Sequence, residues 1–127
     1  MARDIYFKST GIYNDWHRKY DSIAMIDVDS VECCINCYEP LAIIETCFDR
    51  GQKYKSTTLS KIIASRLNVP CFLVFYKPLD QDTLTFRIKR IRASQTEFQL
   101  LNENQWVDIL RDLHQNHNKN CKKKGKK

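Results

Sequence analysis

Three acidic side chains interrupt two strongly apolar segments of this chain. Asp27 and Asp29 close the segment Ile23-Ala-Met-Ile-Asp-Val-Asp29, and Glu45 follows Leu41-Ala-Ile-Ile44. A carboxylate in an apolar strand costs free energy unless it is paired or binds a metal. Two carboxylates on adjacent strands make an oxygen-rich site suited to Mg²⁺ or Mn²⁺, which can polarise a phosphodiester and activate water. The alternative is that these acids are strand-end charges that face solvent or pair with arginine.

The cysteines are a second set of candidate ligands. Cys34 and Cys37 have the two-residue gap that lets a tight turn present two thiolates to one zinc ion. A structural zinc ion needs four ligands, and the remaining two would come from distant parts of the chain through the fold. Cys33, Cys47 and Cys71 are the cysteines considered for this. The alternative is that Cys47 and Cys71 are small core residues on apolar strands.

All of the formal excess positive charge lies at the C-terminal end of the 127 residues, where 119–127 contain six lysines and no acid. The chain has 21 lysines and arginines against 15 acids, with a formal net charge of +6, so the rest of it is formally neutral. A basic tail raises the affinity for any polyanion through counterion release. The basic candidates for nucleic-acid contacts are His17, Arg18, Arg87, Lys89, Arg90, Lys122, Lys123 and Lys124. A solvated surface is the alternative for each.

Hydrophobic periodicity predicts one α/β domain over residues 1–117 and a disordered basic tail over 118–127, with no periodicity after His114. Apolar runs over 23–33 and 41–48 predict a hairpin with the Cys34–Cys37 pair near its tip. A helix that starts at Ser56 or Thr57 leads to a strand over 71–76, which a crossover makes parallel to 41–47. We therefore expect a small mixed sheet built on a hairpin with a crossover helix. A further strand is predicted over 83–91, and flanking helices over 10–21 and 103–115.

The order of a helix, an Asp-bearing strand, a Glu-bearing strand, a helix and a strand resembles the core of the PD-(D/E)XK nucleases, the restriction-endonuclease-like superfamily. Asp27-Val-Asp29-Ser-Val-Glu32, followed by Pro40-Leu-Ala-Ile-Ile-Glu45-Thr-Cys47, is similar to the Asp…Glu-x-Lys hairpin of that superfamily. The chain also resembles a family of small phage and actinobacterial proteins. That likeness rests on Trp16-His17-Arg18, Met25-Ile-Asp-Val-Asp29, the Cys34–Cys37 pair and the stretch from Glu39 to Lys55.

The resemblance implies that Asp29, with Asp27 as a substitute, and Glu45 hold the metal ion. Cys47 stands where the lysine of the superfamily would follow the glutamate by two residues. Some nucleases of this type carry that lysine on the following helix instead, which makes Lys55 and Lys53 the catalytic candidates. Gln52, beside them, is a candidate for orienting a water molecule or a phosphate.

Together these features predict a metal-dependent nuclease, or a nuclease-like phage protein, that acts on DNA or RNA phosphodiesters with Mg²⁺ or Mn²⁺. The replaced lysine favours an alternative, a catalytically inactive protein of the same fold that binds nucleic acid or a host protein. A zinc-stabilised interaction module around Cys34 and Cys37 is a third hypothesis. No apolar run of membrane-spanning or signal-peptide length occurs, so we expect a cytoplasmic protein. The superfamily resemblance further implies a homodimer.

Overall fold

The computed structural model describes residues 16, 19, 20, 22, 28–91 and 97–121, which contain a five-stranded mixed sheet and two helices. The strands lie side by side in the order of the sequence. The second and third strands are parallel, and the other three neighbouring pairs are antiparallel. The elements are β1 Ser30–Cys33, β2 Pro40–Phe48, α1 Thr58–Leu67, β3 Cys71–Pro78, β4 Leu84–Arg90, β5 Gln99–Asn102 and α2 Glu103–Asn118.

The middle of β2 is buried on both faces of the sheet, from Leu41 to Glu45. Successive side chains of a strand point to opposite faces. Ala42 and Ile44 belong to the hydrophobic cluster beneath α2, whereas Ile43 belongs to the cluster beneath α1. By the same alternation, Glu45 projects to the α1 face, and burial on both faces explains why this strand reads as a continuous apolar run.

The crossover between the parallel strands is made by α1. Its residue Ala64 is buried against Ile43 and Cys71, which lie side by side on β2 and β3. The helix ends at Asn68, which adopts a left-handed conformation with φ of 59° and donates its backbone N–H to carbonyls of the last turn. Asparagine tolerates this conformation, so it stops the helix and returns the chain to the sheet. The start of α1 is thereby held beside the end of β2.

The opposite face of the sheet is covered by α2. This helix begins with a capping box, in which the Asn102 side chain accepts from the backbone N–H of Gln105 at 2.9 Å and the Gln105 side chain accepts from that of Asn102 at 2.8 Å. Trp106, only 8% exposed, packs edge-on against Phe72, with 5.3 Å between the ring centroids. Burial of such an aromatic ring is among the largest single contributions to a core of this size.

The register of the β1–β2 hairpin decides where Asp29 lies. Ser30 pairs with Ile44 in antiparallel register, and Asp29 immediately precedes Ser30. Asp29 is therefore level with Glu45, the residue that follows Ile44. The two acids that the sequence places 16 positions apart come to lie side by side, Asp29 just before β1 and Glu45 on β2.

The predicted mixed α/β fold is confirmed, including the hairpin and the parallel crossover. The predicted helix over 10–21 and the first part of the strand over 23–33 lie largely outside the described residues. The periodicity does not predict β5, which has only four residues. The last helix was predicted to end at residue 115, and α2 continues to Asn118; beyond it Cys121, within the segment 118–127, is buried. None of the helices in the described part of the chain is long and apolar enough to cross a membrane.

Candidate functional site

The ammonium group of Lys55 lies at the centre of three oxygen atoms. Its Nζ is 2.9 Å from Asp29 Oδ2 and 3.2 Å from Glu45 Oε1. It also donates to the backbone carbonyl oxygen of Thr46 at 2.9 Å. Two carboxylates and one carbonyl therefore converge on a single point at the end of β2.

Each acid is also held by a second partner. The backbone N–H of Thr46 donates to Asp29 Oδ2 at 2.9 Å, which ties the residue before β1 to the neighbouring strand. The Ser60 hydroxyl, in the first turn of α1, donates to Glu45 Oε2. Ser60 was not predicted from sequence, because nothing local distinguishes it from the other hydroxyl residues near the start of α1. These contacts fix the orientation of both carboxylates independently of Lys55.

The side chains of Glu45, Asp29 and Lys55 differ in how far they are buried. The side chain of Glu45 is 6% exposed, whereas those of Asp29 and Lys55 are each 32% exposed. Partial burial raises the pKa of Asp29, but its hydrogen bonds to Lys55 and Thr46 outweigh this effect and hold the pKa below its ordinary value. Burial likewise lowers the pKa of Lys55, and the hydrogen bonds to Asp29 and Glu45 outweigh it, so that pKa is raised. Near neutral pH, Lys55 is therefore a cation and Asp29 an anion.

These residues line one end of a cleft of about 420 Å³ whose other wall is the start of α1, Ser56–Ser60. The Thr57 side chain makes no capping hydrogen bond to the helix, and the first turn of α1 contains no acid. Backbone N–H groups at a helix start attract anions when no side chain caps them. The cleft thus combines two carboxylates, one ammonium and a helix terminus suited to a phosphate. A separate cleft of about 520 Å³ lies at the other end of α1, around Asn68.

The structure distinguishes between the two candidate lysines and accounts for Gln52. Lys55 contacts both acids, whereas Lys53 is exposed in the loop before α1. The Gln52 side chain is used inside that loop, where Nε2 donates to the carbonyl of Phe48 at 2.9 Å and Oε1 accepts from the backbone N–H of Arg50 at 2.7 Å. Gln52 therefore shapes the loop that delivers Lys55.

The side chain of Arg87, one of the candidates for nucleic-acid contact, makes its contacts within the protein. Its guanidinium forms two hydrogen bonds to Asp49, at 2.9 and 3.2 Å, and one to the carbonyl of Gln52 at 2.7 Å. It also stacks over the rings of Phe75 and Phe98, at 4.6 and 4.8 Å from their centroids. The hydrogen bonds from Arg87 hold the pKa of Asp49 below its ordinary value. Arg87 thus fastens the loop after β2 to the sheet.

Arg87, Lys89 and Arg90 form a basic stripe along β4. Its other two members, Lys89 and Arg90, do not share one surface. Lys89 lies 5.5 Å from the Phe98 ring, and Arg90 lies 5.9 Å from the Phe72 ring, which belongs to the α2 face. Neighbouring strand residues point to opposite faces, so the stripe divides between the two sides of the sheet. The remaining candidates lie outside the described residues: Asp27, His17, Arg18, Lys122, Lys123 and Lys124.

A second cluster of candidate ligands forms on the other side of the molecule, where Cys34, Cys37, His117 and Cys121 come together. The ligand atoms of these four residues all lie within 4.8 Å of one another, so the cluster could hold a metal ion such as zinc. All six cysteines are free thiols. The predicted pair is thus completed by His117 and Cys121, and not by the three cysteines considered from sequence. The sequence does contain a signal for this second pair of ligands, which is the His-x-x-x-Cys spacing of residues 117–121.

The thiols of this cluster have perturbed pKa values. Backbone N–H groups of Cys37 and Asn36 directed at the Cys34 sulfur lower the pKa of Cys34 to about 6, against the opposing effect of burial. The backbone N–H of Glu39 acts in the same direction on Cys37, but burial and the adjacent Cys121 and Cys34 thiols outweigh it, so the pKa of Cys37 is raised. Neighbouring thiols resist a second deprotonation because two thiolates repel each other.

Comparison with protein-family models, with curated proteins and with solved structures finds no match to this chain. Functional inference therefore rests on the two clusters themselves. One contains hard oxygen ligands and a lysine beside a cleft, and the other contains sulfur and imidazole ligands that are largely enclosed.

Proposed function

We propose that the chain hydrolyses phosphodiester bonds of DNA or RNA with a divalent metal ion held by Asp29 and Glu45. The observation that carries this proposal is the contact of Lys55 Nζ with both carboxylates. One ammonium group faces two carboxyl groups, so the negative charge that the two acids can carry exceeds the positive charge of Lys55 beside the cleft. A divalent cation would neutralise that charge, and a phosphate group would then approach a site that no longer repels it.

The donor set suits Mg²⁺ or Mn²⁺, because carboxylate and carbonyl oxygens are the ligands that hard divalent cations prefer. Asp29, Glu45 and the carbonyl of Thr46 supply three such oxygens around one point. An ion held there would polarise the phosphate and lower the pKa of a bound water molecule. Because the Lys55 ammonium lies at the same point, its flexible stem has to turn towards the cleft when the ion binds.

The protein groups have separate roles in this proposal. Lys55 holds a non-bridging oxygen of the phosphate and offsets the negative charge that grows during attack. Ser60 and the backbone N–H of Thr46 keep the two carboxylates in position. The backbone N–H groups at the start of α1 donate to a second phosphate oxygen.

The resemblance to PD-(D/E)XK nucleases points to the same reaction class. In that comparison Cys47 occupies the usual lysine position, and Lys55 reaches the acids from the loop before α1. The convergence of Lys55 on both acids favours an active enzyme over the alternative of an inactive binding protein. We therefore also propose that the chain is related to this superfamily.

The test is cleavage of plasmid DNA, single-stranded DNA and RNA in Mg²⁺ or Mn²⁺, with a chelator as the blank. We expect Glu45→Gln and Lys55→Met each to lower the rate by about 100-fold or more, as the loss of one transition-state contact commonly does. The matched controls are Glu39→Gln and Lys53→Met, which change exposed residues of the same types that do not contact the two acids.

Two outcomes would count against this proposal. Cleavage that survives Glu45→Gln and Asp29→Asn within a few-fold would place the chemistry elsewhere. Nucleic-acid binding by the wild-type chain, unaffected by either substitution and without cleavage in both metals, would favour the inactive binding protein.

A further inference from the structure

The cysteine–histidine cluster is close in size to a tetrahedral zinc site, since its four ligand atoms all lie within 4.8 Å of one another. A zinc ion with Zn–S distances of about 2.3 Å and a Zn–N distance of about 2.0–2.1 Å places ligand sulfurs about 3.8 Å apart, and a sulfur and a nitrogen about 3.6 Å apart. Cys34 Sγ and Cys121 Sγ are 3.8 Å apart, and Cys37 Sγ and His117 Nε2 are 3.3 Å apart. Small rotations of these side chains are enough to accommodate the ion.

We propose that Cys34, Cys37, His117 and Cys121 bind one structural Zn²⁺ that fastens the C-terminal end of α2 to the turn between β1 and β2. The inference is independent of the proposed nuclease activity. It concerns a different set of residues on a different side of the sheet, and it requires no substrate.

The hairpin turn presents the first two ligands. Tyr38 adopts a left-handed conformation with φ of 63°, and its backbone N–H donates to the carbonyl of Cys34 at 2.8 Å. The backbone N–H of Asn36 points at Cys34 Sγ at 3.4 Å, and that of Cys34 donates to the carbonyl of Glu39 at 2.9 Å. A tight turn of this kind directs both sulfurs to one side and provides N–H donors that stabilise a thiolate.

The end of α2 presents the other two ligands. His117 lies in the last turn of the helix, and the backbone N–H of Asn120 donates to its carbonyl at 2.9 Å. The following turn directs the chain back, so Cys121 is only 8% exposed although it borders a lysine-rich segment. One helical turn earlier, His114 Nε2 lies 2.7 Å from Glu32 Oε2 on β1. This contact between His114 and Glu32 holds the same stretch of α2 against β1 without using any of the four ligands.

A structural role follows from the ligand count. Four protein ligands complete a tetrahedral zinc site and leave no position for a substrate or a catalytic water molecule. Sulfur and imidazole ligands also select zinc over the hard ions suited to Asp29 and Glu45. Within the described sheet β1 has only four residues and pairs with β2 alone. The ion would anchor one end of this short strand, at whose other end Asp29 lies.

The first experiment is metal analysis of the full chain purified without chelator, followed by replacement with Co²⁺. We expect about one zinc ion per chain, and a Co²⁺ spectrum with thiolate charge-transfer bands and the intense visible bands of tetrahedral coordination. Cys121→Ser and His117→Gln should each lower bound zinc at least tenfold, measured at a fixed competing concentration of chelator. The matched controls are Cys33→Ser and His114→Gln, adjacent residues of the same types outside the cluster, which should leave the zinc content unchanged.

If the ligand variants fail to fold, the wild-type chain alone provides the test. Chelator should lower its melting temperature, expose Cys34, Cys37 and Cys121 to alkylation, and speed amide exchange in the hairpin turn and the last turn of α2, while added Zn²⁺ reverses all three. Zinc content near zero after growth in zinc-supplemented medium would overturn the proposal, as would a disulfide among these cysteines in the purified chain or equal zinc content in ligand and control variants. None of these readouts depends on cleavage, so failure of the proposed nuclease activity leaves this test unaffected.

Discussion

Replacing Lys55 with methionine removes the cation that joins the two acids and keeps most of the aliphatic stem. The ammonium makes two ion pairs, at 2.9 and 3.2 Å, and a hydrogen bond to the carbonyl of Thr46 at 2.9 Å. In the variant, Glu45 keeps its hydrogen bond from Ser60, and Asp29 keeps that from the backbone N–H of Thr46. Both carboxylates lose their counter-charge, and Glu45 loses it in a buried position.

The size of the effect follows from these contacts. A hydrogen bond to a charged group contributes about 1.5–3 kcal/mol, and breaking a fully buried ion pair costs about 3–5 kcal/mol. Lys55 and Asp29 are each 32% exposed, so water screens part of the loss. We expect the free energy of unfolding to fall by about 2–3 kcal/mol, which lowers the folding equilibrium constant about 30- to 150-fold.

The pH dependence of this difference has a definite sign. The raised pKa of Lys55 means that its contribution is fully present below the ordinary lysine value of 10.5 and is lost as pH rises through the raised value. The lowered pKa of Asp29 means that its contribution is present above the ordinary value of 3.8 and is lost as pH falls through the lowered value. The stability difference between wild type and Lys55→Met should be constant between these limits and shrink beyond both.

The assay is urea unfolding followed by circular dichroism at several pH values, with chelator or with millimolar Mg²⁺. Mg²⁺ should stabilise Lys55→Met more than wild type, because in the wild type the ion must displace an ammonium group. Lys53→Met is the control for loss of a nearby exposed lysine. The reasoning is refuted if Lys55→Met is as stable as Lys53→Met, or if Mg²⁺ stabilises the wild type at least as much as Lys55→Met.

Three further predictions concern other parts of the molecule. Trp106→Ala should lower the free energy of unfolding by about 3–5 kcal/mol in thermal or chemical unfolding, because it leaves a cavity in the hydrophobic cluster beneath α2. Arg87→Met should lower the free energy of unfolding by about 2 kcal/mol near neutral pH. Because the pKa of Asp49 is lowered in the folded protein, the difference in stability between wild type and Arg87→Met should disappear as pH falls through that lowered pKa. Unfolding measured at pH 7 and in acid tests this. Truncation after Cys121 should leave the melting temperature unchanged and flatten the salt dependence of nucleic-acid binding. Truncation after Asn118, which removes the ligand Cys121, should flatten that dependence too, but it should also lower the melting temperature and abolish zinc binding in the same metal analysis.

The strands and helices that were predicted correctly depend on local patterns. The apolar run of β2 and the helical spacing of α1 are visible in short windows, and the strand–helix–strand order then favours a parallel crossover. β5 was not predicted because its four residues, Gln-Leu-Leu-Asn, do not alternate and are too few to separate a strand from a loop. The end of α2 was placed too early because His114–Asn118 lack apolar periodicity, although the side chains of His114 and His117 both make contacts with the hairpin.

Arg87 shows how tertiary contacts overrule a local pattern. Alternation along β4 predicts an outward side chain, and the face it occupies would be solvated in an isolated strand. Asp49, Phe75 and Phe98 come from other segments and enclose the guanidinium on that face. The partners of a long side chain are therefore not readable from its own strand.

The sequence by itself determined the candidate acids and half of the cysteine cluster. A carboxylate in an apolar run and a two-residue gap between cysteines are local features, and they retain their meaning without a structure. Only the tertiary structure decided that Lys55 and not Lys53 contacts the acids, 26 positions from Asp29 and 10 from Glu45. It also decided that Cys121 approaches Cys34 across 87 positions, because such contacts depend on strand register and on the packing of α2, which no short window of sequence contains.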